Sequence, residues 1–148
     1  MKKVIYLGAD HNGYIMKEKL KTWLTKKNIS FSDLGDLLHD QNDDYPDYAE
    51  AVARKVAKEK TFGILICGSA QGMCIAANKI KGVRAVIPTT LREVRFCRLH
   101  DDANILCLSG WFLPYYQATK LIDAFLKIPF SKEKRHVRRL KKIEKLEK

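Results

Sequence analysis

The sequence predicts an α/β domain: a five-stranded parallel sheet wound in both directions, with helices on both faces and a basic helix at the end. Three observations carry this expectation. Short apolar runs alternate with longer amphipathic ones along the whole chain, the pattern of strand–helix–strand crossovers. The central run, "FGILIC" at 62–67, is nearly all apolar, as a strand covered on both faces must be. No repeat or low-complexity segment interrupts the 148 residues, a length that suits one domain, 1–148, with its own core.

The elements follow in order. "KVIYLG" at 3–8 predicts the first strand. "YIMKEKLKTWLTKK" at 14–27 predicts a helix, because Met16, Leu20, Trp23 and Leu24 recur at helical spacing with lysines between them. "ISFSDLG" at 29–35 predicts a second strand, and the acidic stretch before Pro46 a loop. "DYAEAVARKVAKEK" at 47–60 predicts a helix with Ala49, Val52, Ala53 and Val56 on its inner face. After the third strand at 62–67 come a short helix over 71–80 and a fourth strand, "GVRAVI", at 82–87. "TLREVRFCRLH" follows, then "NILCLSG" at 104–110 as the fifth strand. "LPYYQATKLIDAFLK" at 113–127 predicts a helix with Pro114 near its first turn. A proline and the short "IPFSKEK" stretch at 128–134 separate it from a basic terminal helix, where Val137, Leu140, Ile143 and Leu146 make a stripe that drifts around the axis and can cover more than one surface.

Composition narrows the function classes. An apolar content of 46% supports a folded globule, and no apolar run nears the roughly 18 residues that a membrane span needs. "MKKVIYLGAD" reads as a first strand and not a signal peptide. Four scattered cysteines do not make a disulfide scaffold and fit a reducing cytoplasm. The net charge is +11, and residues 132–148 hold nine of the Lys/Arg against three Asp/Glu. Such a patch can meet nucleic acid, a phosphorylated metabolite or only solvent, and charge alone does not choose.

In a doubly wound sheet, ligands lie beyond the carboxyl ends of the strands. Asp10 and His11 follow the first strand, and Cys67 to Gly72 follow the third. In "CGSAQG", the small residues Gly68, Ser69 and Ala70 let successive backbone N–H groups converge on one oxygen or anion, beside a helix N-terminus. The same field is expected to lower the Cys67 pKa. A thiolate beside an anion cradle suits attack on a carbonyl, or removal of a carbon-bound proton with the N–H groups holding the enolate-like oxygen. The second fits the rest of the chain. Arg135, His136 and Arg139 stand close together in the terminal helix, where they can hold a phosphate. His100 carries an imidazole, a side chain suited to moving a proton at a ring oxygen. Tyr45 can donate to a hydroxyl. From the residues alone, Cys67 also fits an inert core position, His11 and His100 surface or structural histidines, and Arg135 and Arg139 solvated arginines. A Walker loop, a dinucleotide fingerprint and a structural zinc set all fail on spacing.

These residues resemble the ribose-5-phosphate isomerase B family, which also holds the galactose-6-phosphate isomerase subunits. "LGADHNGYIMKEKL", "DYPDYA", "ILICGSAQGMCIAANK", "GVRAV", "LHDDANILCLSG" and "RHVRRLKKI" carry the resemblance, in collinear order over nearly the whole chain. It implies a Rossmann-like homodimer, open to pairing of dimers, with active sites at the subunit boundary. It also implies a phosphorylated sugar as substrate, with no cofactor or metal and with nucleic acid and membrane set aside. Ribose 5-phosphate and ribulose 5-phosphate would be interconverted through an enediolate. Cys67 would be the base, His100 of the other subunit would open the ring, and Ser69 would bond near the reacting oxygens. The turn of Gly68, Ala70, Gln71 and Gly72 would hold the enediolate. Asp10 and Tyr45 would contact the sugar, and His11, Arg135 and Arg139 would lie near the phosphate.

Three positions depart from the family pattern. Ala70 stands where glycine is general, so the cradle is expected to need a negative φ there or a shifted turn. Asp101 replaces an asparagine after the histidine and cannot donate a hydrogen bond when ionised. Trp111 replaces an arginine after the fifth strand, which exchanges a cation for an apolar surface.

Overall fold

The structure, a computed structural model, describes residues 3–147; Met1, Lys2 and Lys148 lie outside the described residues. Five strands, β1 (Ile5–Ala9), β2 (Phe31–Asp33), β3 (Gly63–Cys67), β4 (Ala85–Val86) and β5 (Ile105–Ser109), form one sheet in the order β2-β1-β3-β5-β4. Every neighbouring pair is parallel. Six helices connect and flank them: α1 (Tyr14–Lys26), α2 (Tyr45–Glu59), α3 (Gln71–Ala77), α4 (Leu91–Asp101), α5 (Tyr115–Lys127) and α6 (Lys134–Glu144). The expected three-layer architecture is the observed one.

Strand alternation makes two cores. Ile5, Leu7, Ile64, Ile66, Leu106 and Leu108 point to one face and pack under α1, α4 and α5, where Leu20, Val94 and Phe125 are fully buried. Tyr6, Leu65, Cys67, Ile105 and Cys107 point to the other, under Val52, Ala53 and Val56 of α2 and Met73 of α3. Helix α6 packs against α4. It buries His136 and Leu140, while Ile143 and Leu146 stay exposed, so the drifting stripe is covered only in its first half.

Boundaries moved where side chains took over backbone pairing. Helix α3 stops at Ala77 and not at residue 80, because the Asn78 amide pairs with Ala85 like a strand: its Nδ2 donates to the Ala85 carbonyl (3.0 Å) and its Oδ1 accepts from the Ala85 N–H (2.8 Å). Strand β4 shrinks to two residues because the Arg84 N–H is taken by the Asn104 side chain at 2.8 Å. Helix α2 starts two residues early, with Pro46 in its first turn, where a missing N–H costs nothing.

One buried charge ties the sheet edge to the loop that follows β2. Lys17 is fully buried, and its Nζ donates to Asp33 Oδ2 and to the Asp36 carbonyl, both at 2.6 Å. Burial works against the Asp33 carboxylate, but Lys17, Lys21 and the Gly35 N–H outweigh it and hold its pKa below the usual range. The pair therefore stabilises the fold above the ordinary carboxylate range, and this is lost as pH falls through the lower folded value. Lys17→Ala is expected to cost about 3 kcal/mol in urea unfolding, the low end for a broken buried pair because Lys21 stays 2.9 Å from Asp33; a change under about 0.5 kcal/mol would place the pair with ordinary surface bridges.

Candidate active site

The carboxyl ends of β1 and β3 gather one group of the expected residues. Cys67 ends β3 and is 4% exposed, and the N–H groups of Met73, Ala70 and Ser69 lie close enough to its sulfur to favour the thiolate. The Ser69 N–H is aimed because the carbonyl of its own peptide, that of Gly68, is held. The Gly110 N–H donates to the Cys67 carbonyl (2.8 Å), and the Gly68 carbonyl accepts from the Trp111 N–H (3.1 Å) and the Ser109 hydroxyl (2.6 Å). Ser109 sits beside Cys67 in the β3–β5 register, and its oxygen accepts from the Phe112 N–H at 3.0 Å. The segment after β5 thus clamps the turn after β3.

Two glycines of the turn are fixed by close approach. A Cβ on Gly68 would stand 2.5 Å from the Trp111 ring, and one on Gly72 would stand 2.4 Å from the Tyr45 ring. So Trp111 covers one side of the turn and Tyr45, 40% exposed, the other. Ser69 and Gln71 line a cavity of 280 Å³ with Thr89, Ser109 and Gln117.

Two expectations about this turn are corrected. Ala70 has φ +70°, the left-handed conformation, yet the cradle forms. Its methyl is fully buried in the core beneath the turn, and that burial offsets the left-handed cost. The Cys67 pKa is raised, not lowered: burial dominates and the charge of Asp10 adds to it, against the three N–H groups.

Asp10 is buried and accepts from the N–H groups of Asn12 (3.0 Å) and Gly13 (3.1 Å), while burial raises its pKa. His11 beside it bonds through Nδ1 to Asp43 Oδ1 at 2.6 Å, which raises the imidazole pKa. Asp10, His11 and Asp43 bring metal-ligand atom types within 4.8 Å of one another. Asp10 bonds to backbone N–H groups and Asp43 Oδ1 to His11, while among the described residues the buried Asp43 Oδ2 has no hydrogen-bond partner. Asp43 and Ser109 were missed in the sequence: one lies in an acidic loop without periodicity, and the other gains its role only from strand register.

The second group lies at the other end of the sheet. His100 is in the last turn of α4, just before β5, and β5 starts opposite Gly63. The length of β3, about 13 Å, therefore separates its level from Cys67. His100 sits between Phe96 (ring centroids 5.1 Å) and His136 (4.3 Å). His136 is buried and bonded through Nδ1 to Ser131 Oγ at 2.7 Å, and burial followed by the His100 charge lowers its pKa. Arg135 and Arg139 are near enough to act electrostatically on His136, and both are exposed; Arg135 pairs with Glu133 at 2.9 Å. Asp101 is exposed, and its carbonyl accepts from Arg84 Nε. Within one chain, then, the structure unites Asp10, His11, Tyr45, Cys67 and the turn, and separates His100, Asp101, Arg135 and Arg139 from them.

A doubly wound α/β domain with a buried thiol beside backbone N–H groups at its carboxyl edge has the parts to bind an anion and move a proton. Comparison with known proteins gives the particular family. The family model described as Ribose/Galactose Isomerase matches residues 5–143, and the chain belongs to that family. A probable ribose-5-phosphate isomerase B of Mycoplasma genitalium is 44% identical over 146 residues, covering 97% of this chain and 95% of its relative. The ribose-5-phosphate isomerase B of Mycobacterium tuberculosis is 36% identical, covering 92% and 85%. The crystal structure of the Mycoplasma genitalium enzyme with bound ribulose 5-phosphate superposes with a TM-score of 0.92 at 42% identity, covering 97% and 95%.

The thiol environments set an order of reactivity. Cys74 is partly exposed, and its pKa is lowered by the neighbouring Cys107 thiol, whereas Cys107 is fully buried and raised. Iodoacetamide followed by peptide mass mapping is expected to modify Cys74 first, Cys67 later and faster with rising pH, and Cys107 last. Preferential attack on Cys67 at neutral pH would contradict the raised Cys67 pKa.

Proposed function

We propose that the chain interconverts D-ribose 5-phosphate and D-ribulose 5-phosphate, a step of pentose phosphate metabolism, as a cytoplasmic homodimer. The single observation that carries this reading is the Cys67 turn, a thiol facing three backbone N–H groups in a chain of the ribose/galactose isomerase family. The solved relative that carries ribulose 5-phosphate supports the choice of sugar. No described helix is long and apolar enough to cross a membrane.

The mechanism starts at the ring. His100 of a second subunit gives a proton to the ring oxygen as the O1 proton leaves, and the open aldehyde results. Cys67 as thiolate removes the C2 proton, and the electron pair moves into the enediolate. The N–H groups of the turn hold the oxygen on which charge grows, and Ser69 bonds beside the two oxygens as their proton passes from O2 to O1. The protonated Cys67 then returns its proton to C1, which gives the ketose. A thiol with a raised pKa is a poor acid in the free protein but a good acceptor once ionised, so it holds the substrate proton between the two carbons.

Two subunits are needed for this. The base and its cradle lie at one end of the sheet, and His100, Arg135 and Arg139 lie at the other. A twofold dimer that sets the α4–α6 end of one subunit over the Cys67 edge of the other makes two equal sites. It brings Arg135 and Arg139 to the phosphate and covers the exposed Ile143 of α6 and Leu146 just beyond it. In the isolated chain Arg135, Arg139, Lys141 and Lys142 all face solvent away from Cys67, as a basic binding module would have them. The Cys67 cradle has no use in such a module.

Purified protein in a metal-free, chelator-containing buffer is expected to convert ribose 5-phosphate to ribulose 5-phosphate. Cys67→Ala is expected to lose at least about 10³-fold in kcat while remaining folded. Full turnover in that variant would remove Cys67 as the base. Absence of turnover in the wild type would direct the assay to other pentose and hexose phosphates, with Trp111 over Gly68 as the first residue to exchange.

A further inference from the structure

We propose that Asp43 is a positioning residue for phosphate capture: its carboxylate fixes the His11 ring through Nδ1 and keeps it cationic, so that Nε2 meets the substrate phosphate as a charged donor. This rests on the sugar-phosphate reading above, in which His11 lies at the phosphate.

The geometry is that of an oriented imidazole. Asp43 Oδ1 holds His11 twice, at the ring (Nδ1, 2.6 Å) and at the backbone N–H (3.3 Å). The Asp43 side chain is 4% exposed and the His11 side chain 26%, so the carboxylate is buried behind a ring that reaches solvent. Nε2 has no protein partner among the described residues, and with Nδ1 engaged it is the ring's free donor. His39 fixes the other side: its Nε2 meets the His11 carbonyl at 3.2 Å while its ring stacks on Tyr14 at 4.4 Å.

The charges around His11 explain why such a device is needed. Asp10 from β1, and Asp36 and Asp43 from the loop after β2, all act on His11, and all three carboxylates raise its pKa. From α2 the Tyr48 hydroxyl faces Asp43, and burial together with the Asp43 and Asp36 charges pushes its pKa up to about 12, so it stays neutral. Lys17 of α1, the buried cation that reaches this loop, is engaged by Asp33 and the Asp36 carbonyl. Were His11 neutral, this subunit would offer an approaching phosphate the charges of Asp10, Asp36 and Asp43 and leave Arg135 and Arg139 of the second subunit to hold it alone. With Asp43 behind it, the ring carries its charge to higher pH, and a charge-assisted bond replaces a neutral one.

The sign is fixed by that arrangement. Anion affinity is present while His11 is protonated and is lost as pH rises through its raised pKa. Without the carboxylate it is lost at lower pH, nearer the ordinary imidazole value.

The test is Asp43→Asn, which keeps the shape and removes the charge. The His11 ring is titrated by NMR in both proteins, with and without sulfate, whose charge is constant over the range. KM and kcat for ribose 5-phosphate are measured at about pH 6 and about pH 8. The expected result is a lower His11 midpoint in the variant. KM is expected to rise about tenfold at the higher pH, to change little at the lower, and kcat to stay within about twofold at both. An equal loss at both pH values, or an unchanged His11 midpoint, would overturn the proposal. If the variant does not fold, the wild type decides: a His11 midpoint at or below the ordinary imidazole value, unmoved by sulfate, would also overturn it. If ribose 5-phosphate is not turned over but the midpoint shifts as described, the sugar assignment fails and the Asp43–His11 pair stands.

Discussion

The polarity of a parallel sheet governs this molecule. Because all five strands run the same way, every segment that follows a strand emerges at one edge and every segment that precedes one enters at the other. Cys67 follows β3 and His100 precedes β5, and those two strands are hydrogen-bonded neighbours in register from Gly63–Ile105 to Cys67–Ser109. The strand length between them is rigid, and side-chain motion cannot close it. If Cys67 is the base and His100 opens the ring, as proposed, they can cooperate only across two copies. The proposed dimer would then join the exposed basic face of α6 and the paired His100 and His136 rings of one copy to the Cys67 edge of the other.

The cradle around Cys67 depends on a second constraint, the clamp from β5. The Ser69 N–H can face the sulfur because the carbonyl of its peptide, Gly68, is held by Ser109 and Trp111, while Gly110 holds the carbonyl of Cys67 itself. This also explains how Ala70 is tolerated with a positive φ, since neighbours on both sides determine the turn and its methyl lies in the core. Trp111 contributes its N–H to the clamp whatever its side chain, and its indole adds an apolar wall over Gly68. The exchange of a cation for that wall thus leaves the cradle intact and alters only what surrounds it.

The fold was legible in the sequence because its signals are periodic. The apolar run at 62–67 and the helical spacing of Leu20 and Leu24 state burial directly, and the strands and helices they predict are present. The ends of elements were less legible, since Asn78 and Asn104 replace backbone pairing with side-chain bonds that no periodicity announces. Of the site, the residues just after β1 and β3 could be read from strand position alone. Asp43 could not, because its meaning comes from a partner 32 residues away in a loop. Nor could the direction of the Cys67 pKa, where burial of the strand end outweighs the N–H field that the turn sequence suggests.

The central claim is that one working site takes Cys67 from one subunit and His100 from another. Subunit complementation tests it most directly. Cys67→Ala and His100→Ala proteins, each inactive alone, are unfolded together and refolded as a mixture. In a twofold dimer each mixed pair holds one site with both native residues, so the account predicts recovery of about a quarter of wild-type turnover. If mixed dimers form and turnover stays at the level of the separate variants, Cys67 and His100 do not meet across the subunit boundary, and the account is wrong.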